Sequence, residues 1–228
     1  MAPSISRSSN PFRMRKVLTL FVVVFFTLLA YGQDVRVQFL SIPDSLLPHF
    51  DMEKRMALLD MYDIKKNADF DAALDAGVDN RLHGVSSIDT LTTDYLKIRL
   101  NSRTTWEMKL LAAHRELADS NKVVGISVTV SGEKSESRVS VYSRNWELLC
   151  DTIFTGSNLL EKPEDMAEET FRQHVSELSL VLWQANFSPN SEVLTLSPSL
   201  LFVPFDEKEK FISLNLKKKV KWNGKNFN

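Results

Sequence analysis

The sequence predicts an α+β protein built on antiparallel β-sheet, a meander of hairpins with flanking helices. Three observations carry this. Apolar and polar residues alternate over several stretches between residues 95 and 142, the period of strands with one face on a core. The connections between these stretches are short, and short connections join antiparallel neighbours. Segments of helical period precede the strands, and the order then repeats as helix and strands. That order allows two helix-plus-strands halves, 33–150 and 151–228, although they share no convincing residue-level identity.

The chain opens on an apolar, uncharged run of 14 residues, 17–30 (VLTLFVVVFFTLLA). Arg7, Arg13, Arg15 and Lys16 precede it without an acid, and Ala30-Tyr31-Gly32 follows. A basic segment, a short apolar segment and a small-x-small site are the parts of a secretory signal peptide. A membrane-spanning helix needs ~20 apolar residues, so cleavage before Gln33 is favoured over a retained anchor. Residues 1–32 are thus read as the leader and 33–228 as a single exported domain in the periplasm or cell envelope. A lipidated N-terminus would need a cysteine there, and Cys150 is the only cysteine.

The remaining elements follow in order. Ser41-Ile42-Pro43-Asp44-Ser45-Leu46-Leu47-Pro48 is a proline-bracketed loop. Asp51 caps a helix over 52–62, with Met52, Met56, Leu59 and Tyr62 as its apolar side. Residues 65–77 make a second helical stretch with Phe70, Ala73 and Leu74 on one side, closed by Gly77. Leu96, Ile98 and Leu100 then alternate with Tyr95, Lys97 and Arg99; Trp106, Met108 and Leu110 alternate with Thr105, Glu107 and Lys109. The first set belongs to a core and the second to water. Asn101-Ser102-Arg103 joins the two strands. Val124, Ile126, Val128 and Val130 form the next strand, and Ser131-Gly132-Glu133-Lys134 turns into one containing Val139 and Val141. A helix over 163–178 starts with proline and two acids, both suited to a first turn. Ala167, Phe171, His174/Val175 and Leu178 share its face. Residues 180–187 form a strand, Ser188-Pro189-Asn190-Ser191 a turn, and 193–196 another strand. Residues 206–214 suit a short helix and 217–222 a strand, and Asn223-Gly224 signals a hairpin turn.

Composition narrows the function classes. Without the leader's four basic residues, 24 Lys and Arg remain against 29 Asp and Glu, a net charge of −5 over 196 residues. That balance argues against generic binding to nucleic acid or to an anionic membrane. A lone cysteine forbids an intramolecular disulfide, and Cys150 reads as a small hydrophobe.

The motif search yields no catalytic, cofactor-binding or metal-ligating residues. Asp69, Asp71, Asp75 and Asp79 resemble a calcium loop, but its sixth and twelfth positions are Leu74 and Asn80, where glycine and glutamate are needed. His49, His83, His114 and His174 form no i, i+4 pair. His83 stands beside the acids without a second ligand. There is no G-x-S-x-G elbow, no phosphate-binding loop and no dinucleotide fingerprint. Trp106, Trp146, Trp183 and Trp222 lie in strand-like stretches and read as core. The one basic concentration is Lys217, Lys218, Lys219, Lys221 and Lys225. In a strand, Lys217, Lys219 and Lys221 share a face. They form either a partner surface or the guard of an exposed sheet edge.

Several phrases together resemble an uncharacterised family of exported proteins from Bacteroides-like bacteria. They are Ser45-Leu46-Leu47-Pro48, MALLDMYD (56–63), NRLHG (80–84), LTTDYLKIRLNSRTTWEMKLL (91–111), SPNSEVLTL (188–196) and KWNGKNF (221–227). Members often carry more cysteine after the central strands than Cys150 alone. The resemblance implies an envelope location and one integrated domain. It brings no assigned activity, and so no catalytic residues.

The reading is therefore a non-catalytic binding or structural protein of the envelope. Its partner is an envelope protein or polymer, with no cofactor and no membrane span after leader removal. The alternative is an envelope or polysaccharide hydrolase using paired carboxylates. N-terminal sequencing of the exported protein is expected to begin at or near Gln33. Recovery of the uncleaved chain in the membrane fraction would contradict the leader.

Overall fold

A computed structural model describes residues 34–67, 77–114, 121–201, 211–214 and 216–228. The expected leader, the Asp69, Asp71 and Asp75 cluster, and most of the helical stretches at 65–77 and 206–214 lie outside these residues.

Helix α1 (Val35–Leu40) begins under Asp34, whose carboxylate accepts the Arg36 N–H at 2.8 Å. Helix α2 (Met52–Asn67) begins as expected, with Asp51 accepting the Lys54 N–H at 2.9 Å. Its buried face differs from the expectation. Met52 and Met56 are each 51% exposed, whereas Arg55, Leu58 and Leu59 are buried. Arg55 explains the rotation. Its guanidinium donates to the carbonyls of Phe39, Leu40 and Ile42 and pairs with Asp44 at 2.5 Å. The last carbonyls of a helix lack intrahelical donors and carry partial negative charge, so a cation there closes α1. Arg36 reaches back to Asp63 with two bonds, at 2.6 and 2.8 Å, and ties the helices together.

Seven strands follow: β1 (Val78–Asp79), β2 (Val85–Leu91), β3 (Tyr95–Arg99), β4 (Thr104–Ala112), β5 (Lys122–Ser131), β6 (Ser135–Tyr142) and β7 (Leu148–Ile153). Each pairs antiparallel with the next, giving the expected meander. Ile98 stands opposite Trp106, and Leu96 opposite Met108. These residues, with Leu100 and Leu110, are buried against Val35, Phe39, Phe50 and Leu58. The core half of the strand alternation holds.

Helix α3 (Glu168–Glu177) starts later than Pro163, because Pro163 and Met166 close a separate turn at 3.2 Å. Phe171, Val175 and Leu178 pack inward, as their spacing predicts, but Ala167, expected on the same face, is exposed at the N-cap because the helix starts after it. Strands β8 (Leu180–Phe187), β9 (Val193–Leu201) and β10 (Lys218–Lys221) form a second antiparallel sheet in the order β10-β9-β8. Gly224, at φ 95°, supplies the expected turn after it. The architecture is thus α+β, mostly sheet, with α1 and α2 on one face of the large sheet and the small sheet on the other.

This last layer overturns the other half of the alternation. Tyr95, Glu107 and Lys109 were expected in water, yet Glu107 and Lys109 are 1% exposed. Strand β8 lies across β4, β5 and β6. Its edge away from β9 meets the face of the large sheet, and side chains there satisfy its backbone. Ser127 donates to the Ala185 carbonyl at 2.7 Å, and Ser137 accepts the Ala185 N–H at 2.8 Å. Glu107 accepts the Phe187 N–H at 2.8 Å. Lys109 donates to Asp94 at 2.9 Å and to the Pro189 carbonyl at 2.8 Å, which fixes the β8–β9 turn. At Gly125 an added Cβ would sit 2.8 Å from the Phe187 ring, so the bare backbone makes room for that ring.

Urea unfolding separates the two faces. Trp106→Ala is expected to cost about 3–5 kcal/mol, the scale for a buried large aromatic. Lys109→Ala is expected to cost about 1.5–3 kcal/mol, because it removes hydrogen bonds from a charged donor. Lys219→Ala, on the outer surface, is expected to stay within about 0.5 kcal/mol of wild type. Equal stability of Lys109→Ala and Lys219→Ala would contradict the buried assignment.

Candidate functional site

The lysine strand is positioned from its inner side. Val220 is buried opposite Leu194, and the Trp222 indole N–H donates to the Ala112 carbonyl. These anchors turn the alternate residues outward, and Lys217, Lys219 and Lys221 are exposed. Lys218 faces the other way, half-buried, 3.6 Å from Glu161. Lys219 and Lys221 alternate outward on β10, and Lys217, expected on the same face, is exposed just before the strand begins. Among the described residues, none of these three lysines makes an ion pair.

The face continues across the sheet. Lys219 stands opposite Thr195, and Thr195 opposite Asn186. Ser197 stands opposite Gln184. Those four polar side chains are half-buried, and no carboxylate lies among the described residues of this outer face. The edge-guard reading fits Lys221 poorly. Its backbone exchanges hydrogen bonds with Asn228 at 2.7 and 3.1 Å, so the edge is already closed there.

The other candidates have structural places. Cys150 is half-buried on β7, packed against the second core, with its thiol 3.5 Å from the Thr152 hydroxyl. Trp106, Trp183 and Trp222 are buried. Trp146 departs from the strand expectation: it sits in the β6–β7 turn at φ 68°, tilted against Tyr142 with ring centroids 6.1 Å apart. His83 occupies the β1–β2 turn at φ 60°. The His174 ring lies 5.7 Å from Phe211, and burial pushes the His49 imidazole down. Asp79 lies in β1. Among the described residues, no three His, Cys, Asp or Glu side chains are grouped to hold a metal ion. Nor is any helix among them long and apolar enough to cross a membrane.

A family model described as "Protein of unknown function (DUF3256)" matches residues 27–227. No curated protein matches the chain. Among solved structures, the chain is similar to a domain of an uncharacterized protein from Porphyromonas gingivalis W83. The identity is 18%, the match covers 85% of this chain and 98% of that one, and the TM-score is 0.63. At that identity the likeness shows the fold alone.

Sequence reasoning missed Glu107, which looked like a solvated strand residue. Its signal was available in hindsight as an acid placed between Trp106 and Met108 and opposite Lys97. It lies between the sheets, with Lys97 3.2 Å away and the Phe187 N–H on its other oxygen. Burial pushes its carboxyl above the ordinary carboxylate range, against the pull of Lys97. Burial, then the Glu107 charge, pushes the neighbouring Tyr95 hydroxyl up. The folded state therefore holds a proton on Glu107 more tightly than the unfolded chain does. The cost of charging it is present above the folded pKa and is relieved as pH falls through that value. The unfolding free energy of wild type minus that of Glu107→Gln is expected to rise as pH is lowered from neutral toward the ordinary glutamate value. A difference that is flat with pH, or falls, would contradict the burial of a charged carboxylate.

Proposed function

The chain belongs to this family of unknown function, and we propose that it is an exported envelope protein that binds an acidic partner without transforming it. The observation that carries the reading is the outer face of the small sheet. There, Lys217, Lys219 and Lys221 are exposed beside a surface that carries no carboxylate among the described residues, on a chain whose residues 33–228 are net acidic. Opposite charge across such a face steers a partner and sets its register. Export rests on the leader read at residues 1–32. The acidic balance disfavours nucleic acid, so the partner class is an envelope protein or polymer. The hydrolase reading draws no support from Glu107, whose carboxylate is enclosed between two sheets and occupied by a backbone amide.

Binding to an immobilised polyanion at low salt tests the reading. Wild type is expected to bind, and Lys217→Glu/Lys219→Glu/Lys221→Glu to bind at least about tenfold more weakly, a change of ~1.4 kcal/mol. Lys65→Glu/Lys66→Glu/Lys134→Glu changes net charge equally at exposed positions elsewhere. It is expected to bind nearly as wild type does. Equal losses in the two variants would reduce the effect to net charge and contradict the site.

A further inference from the structure

We propose that strand β7 is the docking edge for a second copy of this chain, the two β7 strands pairing antiparallel about a two-fold axis. This edge belongs to the large sheet and is separate from the lysine face on β10. Sheet edges carry unpaired N–H and C=O groups, and natural proteins shorten, charge or cover them. The other edges here are managed in those ways. β1 spans only 2 residues. β10 carries exposed Lys219 and Lys221 and is closed at Lys221 by Asn228. The outer edge of β8 is answered by Ser127, Ser137 and Glu107 from the large sheet and by the backbone of Gly156. Strand β7 has none of these devices. It is 6 residues long, ends the strand order of the large sheet, and contains neither proline nor lysine. Antiparallel pairing with β6 uses alternate residues, so the others turn their N–H and C=O groups outward. Among the described residues, those outward groups meet no backbone partner.

The edge selects its occupant by geometry. Donors and acceptors that alternate at the strand repeat are matched by another extended backbone. A second copy brings such a backbone with the same edge open, and an isologous pair satisfies both edges at once and closes. Among the described strands the remaining edges are short, charged or covered, so β7 of one copy meets β7 of the other. The side chains permit this approach. Leu148 stands opposite Tyr142 and Ile153 opposite Arg138, and the register shift at Val141/Tyr142 brings both onto the face that carries α1 and α2. Leu148 is 56% exposed and Ile153 53%, and a new ladder gives each an apolar neighbour across it. Asp151 is the one charged residue of the strand. Its carboxylate already accepts from the Arg138 Nε at 2.9 Å and from the Ser140 hydroxyl at 2.8 Å, so two copies meet without an uncompensated like charge. A strand of this length makes a small interface, of the weak and concentration-dependent class.

Sedimentation of the purified exported protein, from micromolar to submillimolar concentration, tests the pairing together with amide exchange. Wild type is expected to shift from monomer to dimer as concentration rises, and the β7 amides to exchange more slowly as it does. Leu148→Lys/Ile153→Lys places edge lysines at two exposed positions and is expected to weaken dimerisation at least about tenfold, a change of ~1.4 kcal/mol. Its unfolding midpoint at low concentration is expected to match wild type, which shows that the fold is kept. Lys217→Glu/Lys219→Glu/Lys221→Glu is expected to dimerise as wild type does, which separates this edge from the acidic-partner reading. A wild-type protein that stays monomeric to submillimolar concentration would overturn the proposal. So would a dimer that Leu148→Lys/Ile153→Lys leaves intact, or one that the lysine-face variant abolishes. Protection of β7 by a co-purified peptide of another protein, with the chain itself monomeric, would overturn the second copy as occupant.

Discussion

Strand β8 has hydrogen-bonding groups along two edges and a partner strand along one. The other edge is pressed against the face of the large sheet, where every backbone group is already committed to a ladder. Side chains, and the backbone of Thr155 and Gly156 after β7, answer it. Ser127 and Ser137 take the carbonyl and N–H of Ala185, Glu107 takes the N–H of Phe187, and Gly156 donates its backbone N–H to the Val181 carbonyl at 3.2 Å. A buried backbone group left without a partner costs about 1–3 kcal/mol, so this edge dictates which residues β4, β5 and β6 place beneath it. The small sheet is docked by those bonds as much as by the apolar surface around them.

The rest of the molecule follows from that docking. Lys109 reaches the Pro189 carbonyl and fixes the turn into β9. The inward residues of β9 and β10 then fill the second core, and their alternate neighbours form the outer face with its lysines. On the opposite side of the large sheet, Arg55 caps α1 and sets the rotation of α2, while Arg36 and Asp63 hold the two helices together. Charged side chains thus fix the layers on both sides of a sheet whose own strands are joined by hairpins.

Much of the fold was legible because it is local. Alternation at Leu96, Ile98, Trp106 and Met108 placed the strands and their core face, and Asn223-Gly224 marked a turn that the chain makes. The polar face of the same strands was misread for a definite reason. A period of two says that the faces differ, not that the second face meets water, and Lys109 between Met108 and Leu110 looks the same in either case. Only the distant β8, some 80 residues on, turns Glu107 and Lys109 into buried clamps. The face of α2 was misassigned likewise, since Arg55 is inward for the sake of carbonyls at the end of another helix. The outward alternation of Lys219 and Lys221 was legible from the sequence. The uncharged rows beside it were not, because they join strands whose register depends on tertiary pairing.

Amide hydrogen exchange at Ala185 and Phe187 tests the side-chain docking of β8 most directly. These N–H groups point away from β9 and have only Ser137 and Glu107 as acceptors. The account predicts that they exchange as slowly as the amides of Gln184 and Asn186, which face β9. It also predicts that Ser137→Ala speeds Ala185 more than its neighbours. Exchange of Ala185 and Phe187 as fast as that of an exposed loop in the wild-type protein would contradict it.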